Sequence, residues 1–192
     1  MSFHQTAGLL IEIAWIILCV YWFVMAFGVK RALKRQSSAS RLLHIAVGVA
    51  AYMLLFTHRL SWGPLGMRFV SWRHAWVVAG VAITYAGVAL AIWARAILGG
   101  NWSATVTVKQ DHSLVRQGPY STVRHPIYSG LLLAGLGTAL VIGEVHSLLA
   151  VIIGVIGFLA KSRLEERFMI ERFGHEYEEY RMHTWALVPF VL

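Results

Sequence analysis

A single cysteine, four prolines and nine acidic residues are all that this chain of 192 residues has of those types, and each shortage excludes something. Cys19 lies inside an apolar run, where a thiol behaves as a small hydrophobe, and one thiol cannot close an internal disulfide. His112, His125, His175 and His183 lack both the HExxH and the Cys-rich spacing of a zinc site, so no metal is expected. No GxGxxG follows a strand, which argues against a Rossmann domain, and neither a Walker A loop nor a Ser-centred nucleophile elbow is present. The N-terminus, Met-Ser-Phe-His-Gln-Thr, has no basic region and no small-residue cleavage site, so the first helix is read as structure. No fixed-period repeat or low-complexity tract is apparent. The scarcity of carboxylates leaves a formal charge of +8. Without a basic stripe on a soluble module this does not indicate nucleic acid, and topology gives the simpler cause.

What the chain has instead is apolar surface. Hydrophobic residues make up 58% of it, more than one soluble core of this size hides without large exposed patches, so lipid is the expected solvent. Ala7 to Gly28 is almost unbroken apolar sequence, matching the ~20 residues a helix needs to cross a ~30 Å hydrocarbon core. Lys30, Arg31, Lys34, Arg35 and a Ser-rich link to Arg41 follow. Leu42 to Thr57 reads as a second, thin span. The loop Ser61 to His74 carries Trp62, Gly63, Pro64 and Trp72, suiting turns and an interfacial aromatic belt. Ala75 to Leu98 is a third span, with Ala75, Ala79, Ala82, Ala86 and Ala89 at helical spacing as a face for close helix approach. Gly99 to His125 is a polar connection with a β-prone piece, Ala104 to Val108. Pro126 to Gly143 and Val145 to Ala160, joined by a tight Gly-Glu turn, read as an antiparallel hairpin whose first turn suits Pro126. The last segment runs on to Phe173, and a short helix follows Gly174. Met169, Phe173, Tyr177 and Tyr180 there give a face to lie on the bilayer or cover the preceding loop.

The expectation is an all-α integral membrane protein of about five spans, forming one domain: three N-terminal spans in residues 1–98 and a functional half in 99–192. Fourteen of the 17 Lys and Arg fall on one side, leaving Arg59, Arg68 and Arg73 on the other. The basic side is therefore read as cytoplasmic, with the N-terminus outside and the C-terminus inside, and the expected location is a prokaryotic inner membrane. Six of the nine acidic residues, Glu165, Glu166, Glu171, Glu176, Glu178 and Glu179, crowd behind the last span. The two hairpin arms have similar lengths, about 27 and 30 Å at ~1.5 Å per residue. Glu165 and Glu166 should thus return to the depth of Arg124 and His125. An Arg-His pair, Tyr120 with Tyr128, and two carboxylates would meet at the membrane surface, a set able to bind a zwitterion.

These residues carry a resemblance. His112-Ser-Leu-Val115, Gly118-Pro-Tyr120, Arg124-His-Pro-Ile-Tyr128-Ser-Gly130, then Glu165-Glu166 and Phe173-Gly174-His-Glu-Tyr177-Glu-Glu-Tyr180 resemble the isoprenylcysteine carboxyl methyltransferases, and phospholipid methyltransferases share a similar pattern. The resemblance covers about residues 95 to 190. It implies a membrane fold of about five helices with a cytoplasmic loop that binds S-adenosyl-L-methionine without a Rossmann sheet. By motif, His112, Leu114, Val115 and Tyr120 would line that cofactor. His125, Pro126, Ile127 and Tyr128 would supply its other wall, and Glu165 would hold it; read from the residues themselves, His125 or Arg124 would be its N–H donor. The family usually has an Arg four residues before that Glu, facing the methyl acceptor. Here Lys161 stands there, with Arg163 two residues on, which keeps the charge but loses the bidentate fork. Glu166 or His112 would serve as base for a thiol or ammonium acceptor, whereas a carboxylate needs none. The expected activity is methyl transfer to a lipophilic acceptor entering from the bilayer, foremost a carboxylate. A phospholipid or thiol methyltransferase, a sterol-type reductase using reduced nicotinamide dinucleotide, and a membrane scaffold or transporter are the alternatives.

Overall fold

The computed structural model describes residues 2–28, 32–35, 37–57, 61–71, 73–102, 107–109 and 114–191. Six α-helices lie within them: α1 (Phe3–Met25), α2 (Ser38–Phe56), α3 (His74–Leu98), α4 (Pro126–Ile142), α5 (Val145–Phe173) and α6 (His175–Met182). Four of these, α1, α2, α3 and α5, are long and apolar enough to cross a membrane. The short member of the set is not α2, which the sequence reads as thin, because α2 begins at Ser38 behind a Ser37 cap and reaches 19 residues. It is α4, with 17 residues, or about 25 Å at ~1.5 Å per residue. The protein is an integral membrane protein of five apolar helices with α6 appended.

A small sheet joins two connections. β1 (Ala32–Arg35) pairs antiparallel with β2 (Thr107–Lys109). β2 falls at the end of the expected β-prone piece, whereas β1 lies in what the sequence reads as a link, since four residues carry too little alternation to show a strand.

The centre of the fold is the α3–α4 contact, and glycine makes it. A Cβ on Gly87 would stand 2.3 Å from the Ala134 nitrogen, and one on Gly130 would stand 2.6 Å from the Ala91 nitrogen, so the two backbones touch with no room for a side chain. Thr84 and Thr138 turn their hydroxyls back onto Gly80 O and Ala134 O of their own helices, both at 2.9 Å; across the helices, Thr84 Oγ1 reaches Ala134 O only at 3.4 Å, and Trp15 of α1 donates to Thr138 Oγ1 at 3.0 Å. Interhelical hydrogen bonds in a membrane average only about 0.6 kcal/mol, so backbone contact rather than these bonds holds the pair. The face differs from the one the alanines suggest. Ala75, Ala82, Ala86 and Ala89 are exposed and Ala79 is half-buried, while Gly80, Thr84, Gly87 and Ala91 are buried. Helices approach over the smallest residues, and a stripe made of two glycines, a threonine and an alanine is invisible to a search for alanine alone.

The hairpin turn is fixed by Gly143, whose φ of 72° suits a residue without a Cβ. The loop before α3 clamps that turn, with Phe69 N donating to Gly143 O at 3.0 Å and Val145 N to Met67 O at 2.9 Å. At the other end of the bundle Arg95, fully buried, donates to Gly99 O at 2.7 Å and to Met25 O at 2.8 Å while its guanidinium lies 4.5 Å from the Trp102 ring centroid. One cation thus satisfies carbonyls at the ends of two helices.

Candidate active site

The site is built where α4 begins. Pro126 opens the helix, so the residues before it must come from a loop. That loop is gripped by residues 176–187. Arg124 N donates to Trp185 O at 2.8 Å, His125 N to Ala186 O at 3.0 Å, and Trp185 N to Thr122 O at 3.1 Å. Tyr180 of α6 donates its hydroxyl to Tyr120 O at 2.6 Å, and Arg116 reaches Glu176 Oε1 at 2.9 Å. Burial pushes the Tyr180 phenol up to about 12 against the opposing pull of Arg124 and Arg116, which keeps it a donor. The Tyr177 and Tyr180 face therefore covers the loop.

Two adjacent carboxylates then meet the loop from α5. Successive residues of a helix point about 100° apart, and Glu165 and Glu166 take different partners. Glu166 Oε1 accepts from Arg124 Nε at 2.8 Å and stands 3.3 Å from His125 Nε2, while Arg181 Nε is 3.8 Å from its other oxygen. Glu165 accepts the Tyr128 hydroxyl at 2.6 Å, and its Oε2 lies 3.4 Å from His125 Nδ1. Arg124 Nη1 is further bonded to Thr184 O and, at 3.2 Å, to Arg181 O. Both ring nitrogens of His125 thus face oxygens that only accept, an arrangement that suits the doubly protonated ring. Burial by itself would lower the His125 pKa, but the hydrogen bonds and charges of Glu165 and Glu166 outweigh it and raise it.

Beside this cluster, between α1, α2, α4 and α5, lies a cavity of about 390 Å³. Its wall is apolar, including Trp15, Leu55, Leu131 and Val151, and Gly48, Gly135, Gly154 and Gly157 hollow it out. Two of its lining residues, Phe158 and Lys161, also touch the polar site. Phe158 stacks on Tyr128 at 4.6 Å between centroids, Lys161 Nζ is 5.3 Å from the centroid of the same ring, and Tyr128 stacks on His125 at 5.6 Å. A lipid-sized apolar space therefore shares a wall with a charged, hydrogen-bonded one.

The structure brings together most of the residues singled out from sequence. Arg124, His125, Tyr128, Glu165 and Glu166 form one network, and Val115, Tyr120 and Ile127 pack in one cluster with Ala94 beside it. Pro126 is buried and Leu114 half-buried. Arg163 is exposed, because residues two apart on a helix face opposite ways, so it does not share the site of Lys161. His112 lies outside the described residues. Sequence reading missed Thr184, Trp185, Ala186 and Leu187, whose pairing with the loop is backbone-mediated. Their one signal is the apolar run from Trp185 after a polar helix. It also missed Arg41 and His44 of α2, which line the cavity. Among the described residues no group of three or more His, Cys, Asp or Glu is placed to hold a metal.

Fold and site together define a helical membrane protein with a polar pocket at one end of a helical hairpin and an apolar chamber beside it. Residues 75–176 match the phospholipid methyltransferase family, and the chain belongs to it. It is 36% identical over 96 residues to the protein-S-isoprenylcysteine O-methyltransferase of Saccharomyces cerevisiae, covering 48% of this chain and 40% of that one. It is 30% identical over 123 residues to protein-S-isoprenylcysteine O-methyltransferase B of Arabidopsis thaliana, covering 62% of each. A third relative, methanethiol S-methyltransferase 1 of Bradyrhizobium diazoefficiens, is 38% identical over 71 residues, 37% of this chain and 24% of the relative. The chain thus spans less than two thirds of these relatives. Among solved structures, the eukaryotic intramembrane Ras methyltransferase ICMT has the same fold, with a TM-score of 0.56 at 22% identity over 81% of this chain and 54% of that one. Fungal, plant and bacterial relatives together do not favour the expected prokaryotic membrane over a eukaryotic one.

Proposed function

We propose that the protein is a membrane methyltransferase that uses S-adenosyl-L-methionine and esterifies the carboxylate of a lipophilic acceptor. The observation that carries this reading is the wall shared through Phe158 and Lys161 by the 390 Å³ apolar cavity and the His125–Glu165 cluster. The residues fit the cofactor. Glu165 retains lone pairs for the ammonium group, His125 or Arg124 would face the carboxylate with N–H donors, and Val115, Tyr120 and Ile127 give an apolar wall for a base. The names of the isoprenylcysteine relatives support the carboxylate, and their lipid-modified substrate class suits the cavity.

The cofactor supplies a methyl group on a positively charged sulfur. An acceptor carboxylate held in line with it would take that methyl group, the C–O bond forming as the C–S bond breaks and the electron pair staying on sulfur. An ionised carboxylate has no proton to lose, so no general base is required. What the chain contributes is alignment and dryness. Glu166, with Oε1 taken by Arg124 and close to His125, positions the loop rather than accepting a proton. Lys161 presents its charge at the chamber's end, and α6 with residues 184–187 closes the site from water. The excess of Lys and Arg supports a cytoplasmic position for the basic end, with cofactor entering from the aqueous side and the acceptor from the bilayer.

Methyl-labelled cofactor, purified protein and a lipid extract test this directly. A base-labile label released as methanol marks an ester and supports the reading. Label that survives alkali on a phospholipid amine or a thioether refutes the carboxylate, and no transfer at all refutes the methyltransferase.

A further inference from the structure

Lys161 leaves a gap in the chemistry of the chamber: a lysine presents a point charge, not the planar fork that fits a carboxylate through two parallel hydrogen bonds. The missing fork stands on another helix. α2 packs against α5, and the register of that contact is fixed where a Cβ on Gly157 would come within 2.8 Å of Val47 Cγ1. The same helices meet again where His146 Nδ1 donates to Leu54 O at 2.5 Å, so α2 rises as α5 descends. Stepping back one turn from Val47 and on one turn from Gly157 reaches His44 and Lys161, with Arg41 one turn further. All three line the chamber.

His44 does not fill the role. Its Nδ1 is taken by Ser40 O at 2.7 Å, which leaves a single ring nitrogen and no pair of parallel donors. Arg41 has the fork, the charge and the depth. It also precedes residue 75, where the match to the family begins, so no assignment made within the matched region reaches it.

We infer that Arg41 of α2, acting with Lys161, reads the carboxylate of the acceptor at the mouth of the apolar chamber, and so decides between charged and uncharged lipids of the same tail. The inference rests on the carboxylate reading above and specifies how this chain performs it. α2 suits such a role: Leu55 is its one buried residue among those described, so the helix forms an outer wall of the chamber rather than part of the packed centre.

The test is binding, without cofactor, of two probes that differ in one group: an N-acetylated S-prenyl cysteine and its carboxamide. The protein in lipid nanodiscs should bind the carboxylate at least tenfold more tightly. Arg41→Gln should remove that preference while leaving carboxamide affinity unchanged, which also certifies the fold. Arg41→Lys, with charge but no fork, should lose most of it, and His44→Leu should keep it. Equal binding of the two probes by the unaltered protein, full preference in Arg41→Gln or Arg41→Lys, or a preference lost with His44→Leu would each overturn the inference. The parent reading fails differently: an Arg41-dependent preference for the carboxylate with no base-labile methyl transfer would leave the recognition intact and remove the esterification.

Discussion

Glu165 and Glu166 are neighbours of the same type, and the structure gives them different work, which a pair of substitutions separates. Glu166→Gln removes the charge that ties α5 to Arg124 through a 2.8 Å contact whose side chains are only 9% and 13% exposed. Losing one partner of a buried pair typically costs 3–5 kcal/mol, and Arg124 keeps the carbonyls of Arg181 and Thr184, so the low end, about 3 kcal/mol, applies here. At about 1.4 kcal/mol per tenfold, the docking of residues 175–187 on the loop should weaken more than a hundredfold. Amide hydrogen exchange read by mass spectrometry should accelerate by that factor in 175–187 and 114–125, and far less in α3 and α4. Glu165→Gln keeps an oxygen for the Tyr128 hydroxyl and leaves His125 its Glu166 partner, so what it loses is the long 3.4 Å contact to His125, about 1.5 kcal/mol for a bond to a charged group, and it should change exchange by roughly tenfold. It removes a charge-assisted partner for the cofactor's ammonium, worth about 1.5–3 kcal/mol, and should weaken S-adenosyl-L-methionine binding roughly ten- to hundredfold by calorimetry. Equal exchange profiles for the two variants, or cofactor affinity unmoved by Glu165→Gln, would refute the division of labour.

Two further outcomes are expected. Gly135→Leu places a side chain inside the chamber, where a Cβ meets only Val151 at 3.9 Å; three carbons beyond Cβ displace about as many from an acceptor tail, ~0.8 kcal/mol each, so acceptor KM should rise about fiftyfold with cofactor affinity unchanged. An unaltered KM would show that the tail lies elsewhere. Because the folded pKa of His125 is raised, its contribution to stability is complete below the unfolded value of ~6.5 and is lost as pH climbs through the folded value. Thermal midpoints of the native protein should fall over that alkaline-going window relative to His125→Gln, and parallel curves would contradict a charged imidazole.

Counting residues along the hairpin was enough to bring Glu165 and Glu166 to Arg124 and His125, because a membrane span has a fixed rise per residue and a two-residue turn leaves no freedom of register. Which carboxylate faces which partner was not legible, since a 100° rotation about α5 exchanges them without altering the hydrophobic pattern. The closing contact by residues 184–187 was not legible either, because its bonds run through backbone groups that any sequence possesses. Arg41 reads from sequence as one more cation in a basic link, where a snorkelling anchor is the usual outcome. Only the chamber behind it gives it a different meaning. The alanine stripe of α3 misled for a related reason: in lipid, exposed alanine costs little, so alanine marks no face, whereas glycine at 87 and 130 is required by a backbone 2.3 to 2.7 Å from where a Cβ would be.

On the proposed reading, the unequal lengths of α4 and α5 would let one protein bring a water-borne and a lipid-borne group together. From Gly143 the short arm reaches Pro126 after 17 residues, whereas α5 continues for 29, a difference of 12 residues or about 18 Å at ~1.5 Å per residue. The overhang carries Glu165 and Glu166 past the end of α4 and lets them fold the polar loop against the bundle's end instead of leaving it in water. A short α4 in turn keeps Tyr128, in its first turn, within reach of Phe158 and Lys161 on the chamber wall. Charges stand on one side of that ring and lipid-like space on the other. The proposed reaction between a soluble cation and a membrane-dissolved anion would therefore need neither partner to cross into the other's solvent.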